Sequence, residues 1–215
     1  MTPALYLLTP SGIGPDFADP LAAALDAGLG SPAEVACVQL RMKDAPDDAI
    51  LRTAEALLPV CAARGVGLFV NDRADLAKKA GADGVHLGQS DGSVGEARHL
   101  LGEDAEIGVT CHDSYHLAMQ AGEAGADYVA FGAFYPSGTK DAAYKAEPEL
   151  LTTWQAMTVL PCVAIGGITP QTAPLLLRAG ADFLAVCGAV WNHAEGPEAA
   201  IAAFARALQP QGDAL

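Results

Sequence analysis

Apolar residues fall along this chain in short runs, at 5–8, 35–40, 66–70, 84–87, 107–109, 128–131, 162–165 and 183–186. Each run is too short for a helix and reads as a strand buried on both faces. Between several of them the apolar spacing changes to the helical period, over 47–64, 72–80, 113–123, 170–179 and 197–208. Asp113 stands where it can cap the helix behind it, and Thr169-Pro170 reads as an N-cap with proline in the first turn. One phrase recurs with variation: AGADGVHLG at 80–88, AGADYVAFG at 124–132 and AGADFLAVCG at 179–188, the third one residue longer. Each copy reads as a helix end, a glycine past it, and a buried strand. Strands alternating with helices imply a parallel sheet, and 215 residues over eight units gives about 27 per unit. The expectation is therefore α/β: a single-domain (β/α)8 TIM barrel over 1–215, with a loose C-terminal tail after about residue 208. A doubly wound open sheet is the alternative, and even spacing favours closure.

No apolar run approaches the roughly 18 residues that span a bilayer. The start, MTPALYLLTPSG, lacks the basic end and long apolar stretch of a signal peptide. A soluble, cytoplasmic protein is expected, with no membrane partner. Charge narrows the class further: 26 acidic residues against 12 basic ones give −14, which argues against a nucleic-acid partner and makes any cluster of cations informative. The cysteines, Cys37, Cys61, Cys111, Cys162 and Cys187, are odd in number and contain no C-x-x-C pair. They suit reduced thiols rather than a disulfide frame or a zinc site. Cys37 and Cys162 read as core, whereas Cys111 and Cys187 at strand ends read as possible pocket lining. A homo-oligomer is left open by the sequence.

In a barrel of this kind the segments just after the strands make one surface. In order they are QLRMK (39–43), Asn71-Asp72, GQSD (88–91), TCHD (110–113), YPSGTK (135–140), GGI (166–168) and CGA (187–189). Polar and small residues thus collect at one end. Val38 to Lys43 reads as a strand, so Gln39, Arg41 and Lys43 share one face, with Leu40 and Met42 on the other. Singly, Asp72 reads as a helix cap and Asp91 as a solvated turn residue. Taken with Arg41, Lys43 and Lys140, the two carboxylates read as an Mg²⁺ pair beside a diphosphate. Gly166 and Gly167, ahead of a helix expected to start near Thr169, offer backbone N–H groups to a second anion, and Gly188 with Ala189 adds another small pair. His112 and His116 are four apart, a metal-like spacing on a helix with no evident third ligand; the alternative reading puts His112 at the strand end lining the pocket and His116 on the surface. His86 reads as a satisfied core histidine, and Trp154 and Trp191 as packing residues.

The ordered set resembles the thiamine phosphate synthase family from the second strand to the eighth. QLRMK is similar to its Q-L-R-x-K stretch, VNDRADLAKKAGADGVHLGQSD to its N-D…G-Q-x-D segment, FYPSGTK to its P-T-x-T-K loop, and VAIGGI to its glycine turn. The resemblance implies a transferase that joins an aminopyrimidine diphosphate to a thiazole phosphate with Mg²⁺ and releases pyrophosphate. It implies Asp72 and Asp91 as metal ligands, and Gln39, Arg41, Lys43, Asn71 and Lys140 on the diphosphate-bearing substrate. Thr110 stands at the family's serine position near the departing diphosphate. Arg41, Lys43, Thr110 and Lys140 are thereby implied in catalysis. Thr139, Gly167 and Gly188 fall to the thiazole phosphate or its surroundings, and Ser137, Gly166 and Cys187 join the substrate-binding set. Two departures stand out: Ser137 replaces the first threonine of P-T-x-T-K, and Gly188 replaces the usual serine, removing a side-chain hydrogen bond worth about 1 kcal/mol. A thiazole tautomerase, an isomerase of a phosphosugar-like substrate, and a silent binder of thiamine precursors are the other readings.

Overall fold

The computed structural model describes residues 4–136 and 144–209. Its strands are β1 (Ala4–Leu8), β2 (Val35–Leu40), β3 (Gly67–Asn71), β4 (Gly84–Leu87), β5 (Glu106–His112), β6 (Tyr128–Phe131), β7 (Cys162–Ile165) and β8 (Phe183–Val186). They pair in parallel in chain order, and β8 closes on β1. The expected barrel is therefore the observed one. The helices are α1 (Ala18–Gly28), α2 (Asp47–Ala62), α3 (Ala74–Ala80), α4 (Val94–Leu101), α5 (Tyr115–Glu123), α6 (Glu149–Met157), α7 (Ala173–Ala179), α8 (Gly188–Trp191) and α9 (Pro197–Ala207). The expected tail after about residue 208 falls largely outside the described residues. No described helix is long and apolar enough to cross a membrane.

Alternation along the strands divides the apolar residues between two cores. Tyr6, Leu8, Phe69, Tyr128, Ala130, Val163 and Ala185 fill the barrel interior. Their sequence neighbours, among them Leu5, Leu7, Val70, Val129 and Leu184, join Leu57, Trp154 and Phe204 in the layer between sheet and helices. Trp154 packs edge-on against Phe131 and Trp191 against Phe17, and each indole N–H donates to a backbone carbonyl. Both tryptophans are packing residues, as read.

The recurring AGAD phrase has a mechanical meaning. Gly81 and Gly180 end their helices in the left-handed region, and Gly125 also has positive φ. The aspartate that follows ties its strand to the preceding one. Asp83, Asp127 and Asp182 each accept a hydrogen bond from the backbone N–H of Leu68, Ile107 and Cys162, at 2.7, 2.7 and 2.8 Å. Each also donates its own N–H to that same residue's carbonyl. The motif thus sets the register at the end of the barrel remote from the candidate site.

Several boundaries differ from expectation. β2 ends at Leu40, because the Arg41 N–H turns to Thr9 Oγ1 (2.9 Å) and Asp44 adopts φ 63°. Arg41 and Lys43 therefore sit in a loop and not on one strand face. Ser114, not Asp113, caps α5, accepting from the Leu117 N–H. α7 begins at Ala173, since the Thr169 N–H is taken by Thr172 Oγ1 at 3.0 Å in a turn ahead of the helix. α3 begins at Ala74, leaving Asp72 outside it at φ 64°.

Candidate active site

β3 and β4 are neighbours, so the residues after them meet. Asn71 ends β3, and Asp72 follows with its N–H held by the His86 carbonyl at 2.8 Å. Asp91 lies in the exposed turn after β4, and its side chain reaches back to hydrogen-bond contact with Asp72. The Asp72 carboxyl is raised to about 6, first by burial and then by the neighbouring Asp91, against smaller pulls from Asn71 and Arg41. A carboxyl that resists ionisation beside a second one forms with it a set of oxygen donors whose strain a hard divalent cation would relieve. A cavity of about 290 Å³ flanks the pair between the starts of α3 and α4, with Ser93 and Glu96 on its wall. Arg73, beside it, is already committed to Asp47 and Asp75 by paired hydrogen bonds.

Gly88 makes room for this arrangement. A Cβ there would come within 2.3 Å of Asp91 Oδ2, so the carboxylate occupies the space a side chain would take. If Asp72 and Asp91 hold Mg²⁺ as the resemblance implies, Gly88→Ala should push Asp91 away and raise the Mg²⁺ concentration for half-maximal activity by about tenfold or more, with the melting temperature little changed. A Mg²⁺ titration of activity on the purified variant checks this.

Arg41 is half-exposed at the same mouth. Its backbone is fixed by Thr9 and its guanidinium donates to Ser11 Oγ at 3.3 Å. Its charge is felt by Asp72 on one side and by the Cys187 thiol on the other. Among the described residues it has no ion-pair partner. Lys43 is exposed in the turn after it. Gln39 lies deeper, 3 % exposed, with Nε2 donating to the Tyr6 hydroxyl at 3.1 Å. Thr110 is half-exposed on β5, its Oγ1 2.8 Å from His86 Nε2. Both His86 nitrogens are partnered, and burial pushes its pKa down to about 4, so the ring is neutral and satisfied, as read.

On the other side of the mouth the β6 and β7 turns interlock. Tyr135 N–H donates to the Gly166 carbonyl at 3.0 Å, and a Cβ on Gly167 would lie 2.3 Å from the Pro136 carbonyl oxygen. The glycines thus seat one loop on another and do not feed a helix N-terminus near Thr169. Gly188 opens the short α8 directly after β8, with Cys187 half-buried against the interior cluster. Ser137, Thr139 and Lys140 lie outside the described residues.

Two cysteine and histidine expectations need correction. Cys111 is fully buried between sheet and helices, its thiol pushed up to about 12, and so lines no pocket. Cys37, read as core, does pack against the barrel-interior cluster near Tyr6. His112 ends β5 at φ 54°, stacked on Tyr144 at 4.2 Å, whereas His116 is exposed on α5. The two are not on one helical face. Thr9, Ser11 and Gly88 were not singled out by sequence reasoning. Only their places after the first and fourth strands signalled them.

This geometry can be set beside known proteins. The family model described as thiamine monophosphate synthase matches residues 5–190. A relative from Rhodospirillum centenum named thiamine-phosphate synthase is 63% identical over 206 residues, covering 95% of this chain and 97% of its own length. A second, from Erythrobacter litoralis and of the same name, is 53% identical over 95% of this chain and 94% of its own. Among solved structures, a thiamine phosphate pyrophosphorylase from Pyrococcus furiosus superposes with a TM-score of 0.82 at 28% identity, covering 96% of this chain and 95% of that one. A 3-hexulose-6-phosphate synthase, at 20% identity and a TM-score of 0.67, shares the fold alone. With the match running through nearly the whole barrel, the chain belongs to the thiamine monophosphate synthase family.

Proposed function

We propose that the chain is a transferase that makes thiamine phosphate. It joins 4-amino-2-methyl-5-hydroxymethylpyrimidine diphosphate to 4-methyl-5-(2-phosphoethyl)thiazole and releases pyrophosphate. The observation that carries the reading is the meeting of Asp72 and Asp91 beside Arg41 at one mouth, in a chain 63% identical to a thiamine-phosphate synthase. Asp72 and Asp91 would hold Mg²⁺, which supplies positive charge to the diphosphate oxygens as they leave. The C–O bond to the diphosphate breaks with its electron pair going to the leaving oxygen. The electron-rich aminopyrimidine stabilises the cation left on its methylene carbon, and the thiazole nitrogen supplies the pair for the new C–N bond. No proton needs to move and no side-chain nucleophile is required.

The residues' work is then placement and charge. Arg41, Lys43 and Asn71 bind the diphosphate-bearing substrate from the β2 and β3 loops, with Gln39 below them. Thr110 gives the leaving group a hydroxyl. Gly166, Gly167, Cys187 and Gly188 surround the thiazole phosphate beside β7 and β8. Lys140, Ser137 and Thr139 are assigned from the resemblance alone. The free thiols suit a reducing compartment, and the cytoplasm is the location adopted.

Pyrophosphate release by the purified protein tests the reading: it is expected to need both substrates and Mg²⁺. Binding of both substrates with Mg²⁺ present and no release would overturn it in favour of a silent binder. Within it, Arg41→Ala should raise KM for the diphosphate substrate by about 10- to 100-fold, the worth of one charged hydrogen bond. KM for the thiazole phosphate should hardly change. Steady-state titration of each substrate checks the split, and equal effects on both would count against it.

A further inference from the structure

Three buried side chains, Tyr6, His86 and Tyr128, have no part in the chemistry above, and they link two residues that do, Gln39 and Thr110. Five strands each send a polar residue into the barrel interior, and the five form a single chain. Gln39 Nε2 lies 3.1 Å from the Tyr6 hydroxyl, which lies 2.8 Å from the Tyr128 hydroxyl. Tyr128 continues to His86 Nδ1 at 3.0 Å, and His86 Nε2 to Thr110 Oγ1 at 2.8 Å. Tyr6, Gln39, His86 and Tyr128 are all 5 % exposed or less. The packing is made for them: a Cβ on Gly108 would sit 1.9 Å from Tyr128 Cζ, so the ring takes the space of a missing β5 side chain. That ring stacks on His86 and meets Tyr6 edge-on. Ala130, Val163 and Ala185 share this interior and complete it without polar atoms, so filling the barrel does not by itself call for such a chain.

Proton counting gives the chain a direction. An amide nitrogen only donates, so the Tyr6 oxygen accepts from Gln39 and its own proton passes to the Tyr128 oxygen. Tyr128 then donates to His86 Nδ1. A neutral imidazole has one proton, which must be on Nε2 and is given to Thr110 Oγ1. Thr110 accepts inside the barrel, so its own O–H is turned the other way. We propose that Gln39, Tyr6, Tyr128 and His86 form a one-way hydrogen-bonded relay of orientation that fixes the Thr110 hydroxyl as a donor toward the mouth.

Tyr6, Tyr128 and His86 are thus positioning residues acting through Thr110. A hydroxyl free to rotate presents either a lone pair or a proton to an anion. One held as a donor is preorganised for the negative charge that grows on a departing diphosphate. The direction of the chain rests on the hydrogen bonds alone, and what Thr110 meets rests on the synthase reading. Were the chain reversed, Nδ1 would be protonated and Thr110 would face the anion with a lone pair.

The test therefore has two arms. Nitrogen-15 NMR of histidine-labelled wild-type protein reads the His86 tautomer with no need for activity, and protonated Nε2 is expected. In the second arm, Tyr128→Phe should lower kcat for pyrophosphate release by about tenfold or more, the scale of a positioning partner. KM for the thiazole phosphate should not move. In a Thr110→Ala background the same change should cost nothing further, because the relay then ends on no hydroxyl. Protonation on Nδ1 in the wild type, or equal losses with and without Thr110, would overturn the proposal. A wild type that releases no pyrophosphate would defeat the synthase reading, while the tautomer would still decide the direction of the chain.

Discussion

Asp91→Ala should lower pyrophosphate release by at least about a hundredfold while the barrel stays folded. The two halves of that expectation have separate causes. Asp91 is exposed in the turn after β4, outside both apolar cores, so its loss opens no cavity. Among the described residues it is the carboxylate that meets Asp72 at the mouth, so on the proposed reading its loss leaves Asp72 as the remaining metal ligand. Removing Asp91 also removes the second-largest influence that raises the Asp72 pKa, so Asp72 should ionise more readily, yet as a single ligand. Steady-state rates across a Mg²⁺ series, beside a thermal melt, give both readings. Partial recovery at high Mg²⁺ would fit a weakened metal site. Turnover at the wild-type level at low Mg²⁺ would remove Asp91 from the site.

Much of this architecture is visible in the order of residues. The three AGAD phrases mark helix ends and strand starts, and the observed strands lie within a few residues of the apolar runs. The acidic pair was legible because residues after neighbouring strands must be neighbours in a parallel barrel. What escaped the sequence depends on distant partners. Val38 to Lys43 alternates like a strand, but whether it continues past Leu40 is decided by Thr9, thirty-two residues away. Thr169-Pro170 has the local form of a helix start. The hydroxyl of Thr172 offers the Thr169 N–H a competing bond, and the helix waits for Ala173 and Pro174. Tyr6, His86 and Tyr128 each look like an ordinary strand residue, and Gln39 and Thr110 were legible as site residues but not as their partners. That their polar atoms meet is a property of register across five strands, which no local pattern encodes.

Asp72→Asn is the change with the most contrasting effects. In the metal-free protein Asp72 titrates at about 6, against an ordinary value of 3.8. The folded state therefore holds a proton that the unfolded chain has released between about pH 4 and 6. Stability falls as pH rises through that window and stays reduced above it. After allowance for solvent screening at a half-buried group, the cost of the charged form at pH 7.5 is about 1–2 kcal/mol. Asparagine resembles the protonated acid in shape and carries no charge. It also tolerates the left-handed φ of 64° at this position. Asp72→Asn should thus raise the melting temperature of the metal-free protein by roughly 3–6 °C at pH 7.5. The gain should shrink through that window and vanish only below about pH 4, where Asp72 is protonated in the unfolded chain as well. Mg²⁺ reverses the ranking: it should stabilise the wild type by linkage and leave the variant nearly unmoved, since an amide is a poor substitute for a charged ligand. Pyrophosphate release by the variant should fall by at least about a hundredfold. Melts at pH 4 and 7.5, each with and without Mg²⁺, separate these contributions. An equal gain at both pH values would mean that the strain at Asp72 is not electrostatic. A gain confined to pH 7.5 and cancelled by Mg²⁺ would mean that the folded state carries at this mouth a charge conflict that its metal resolves.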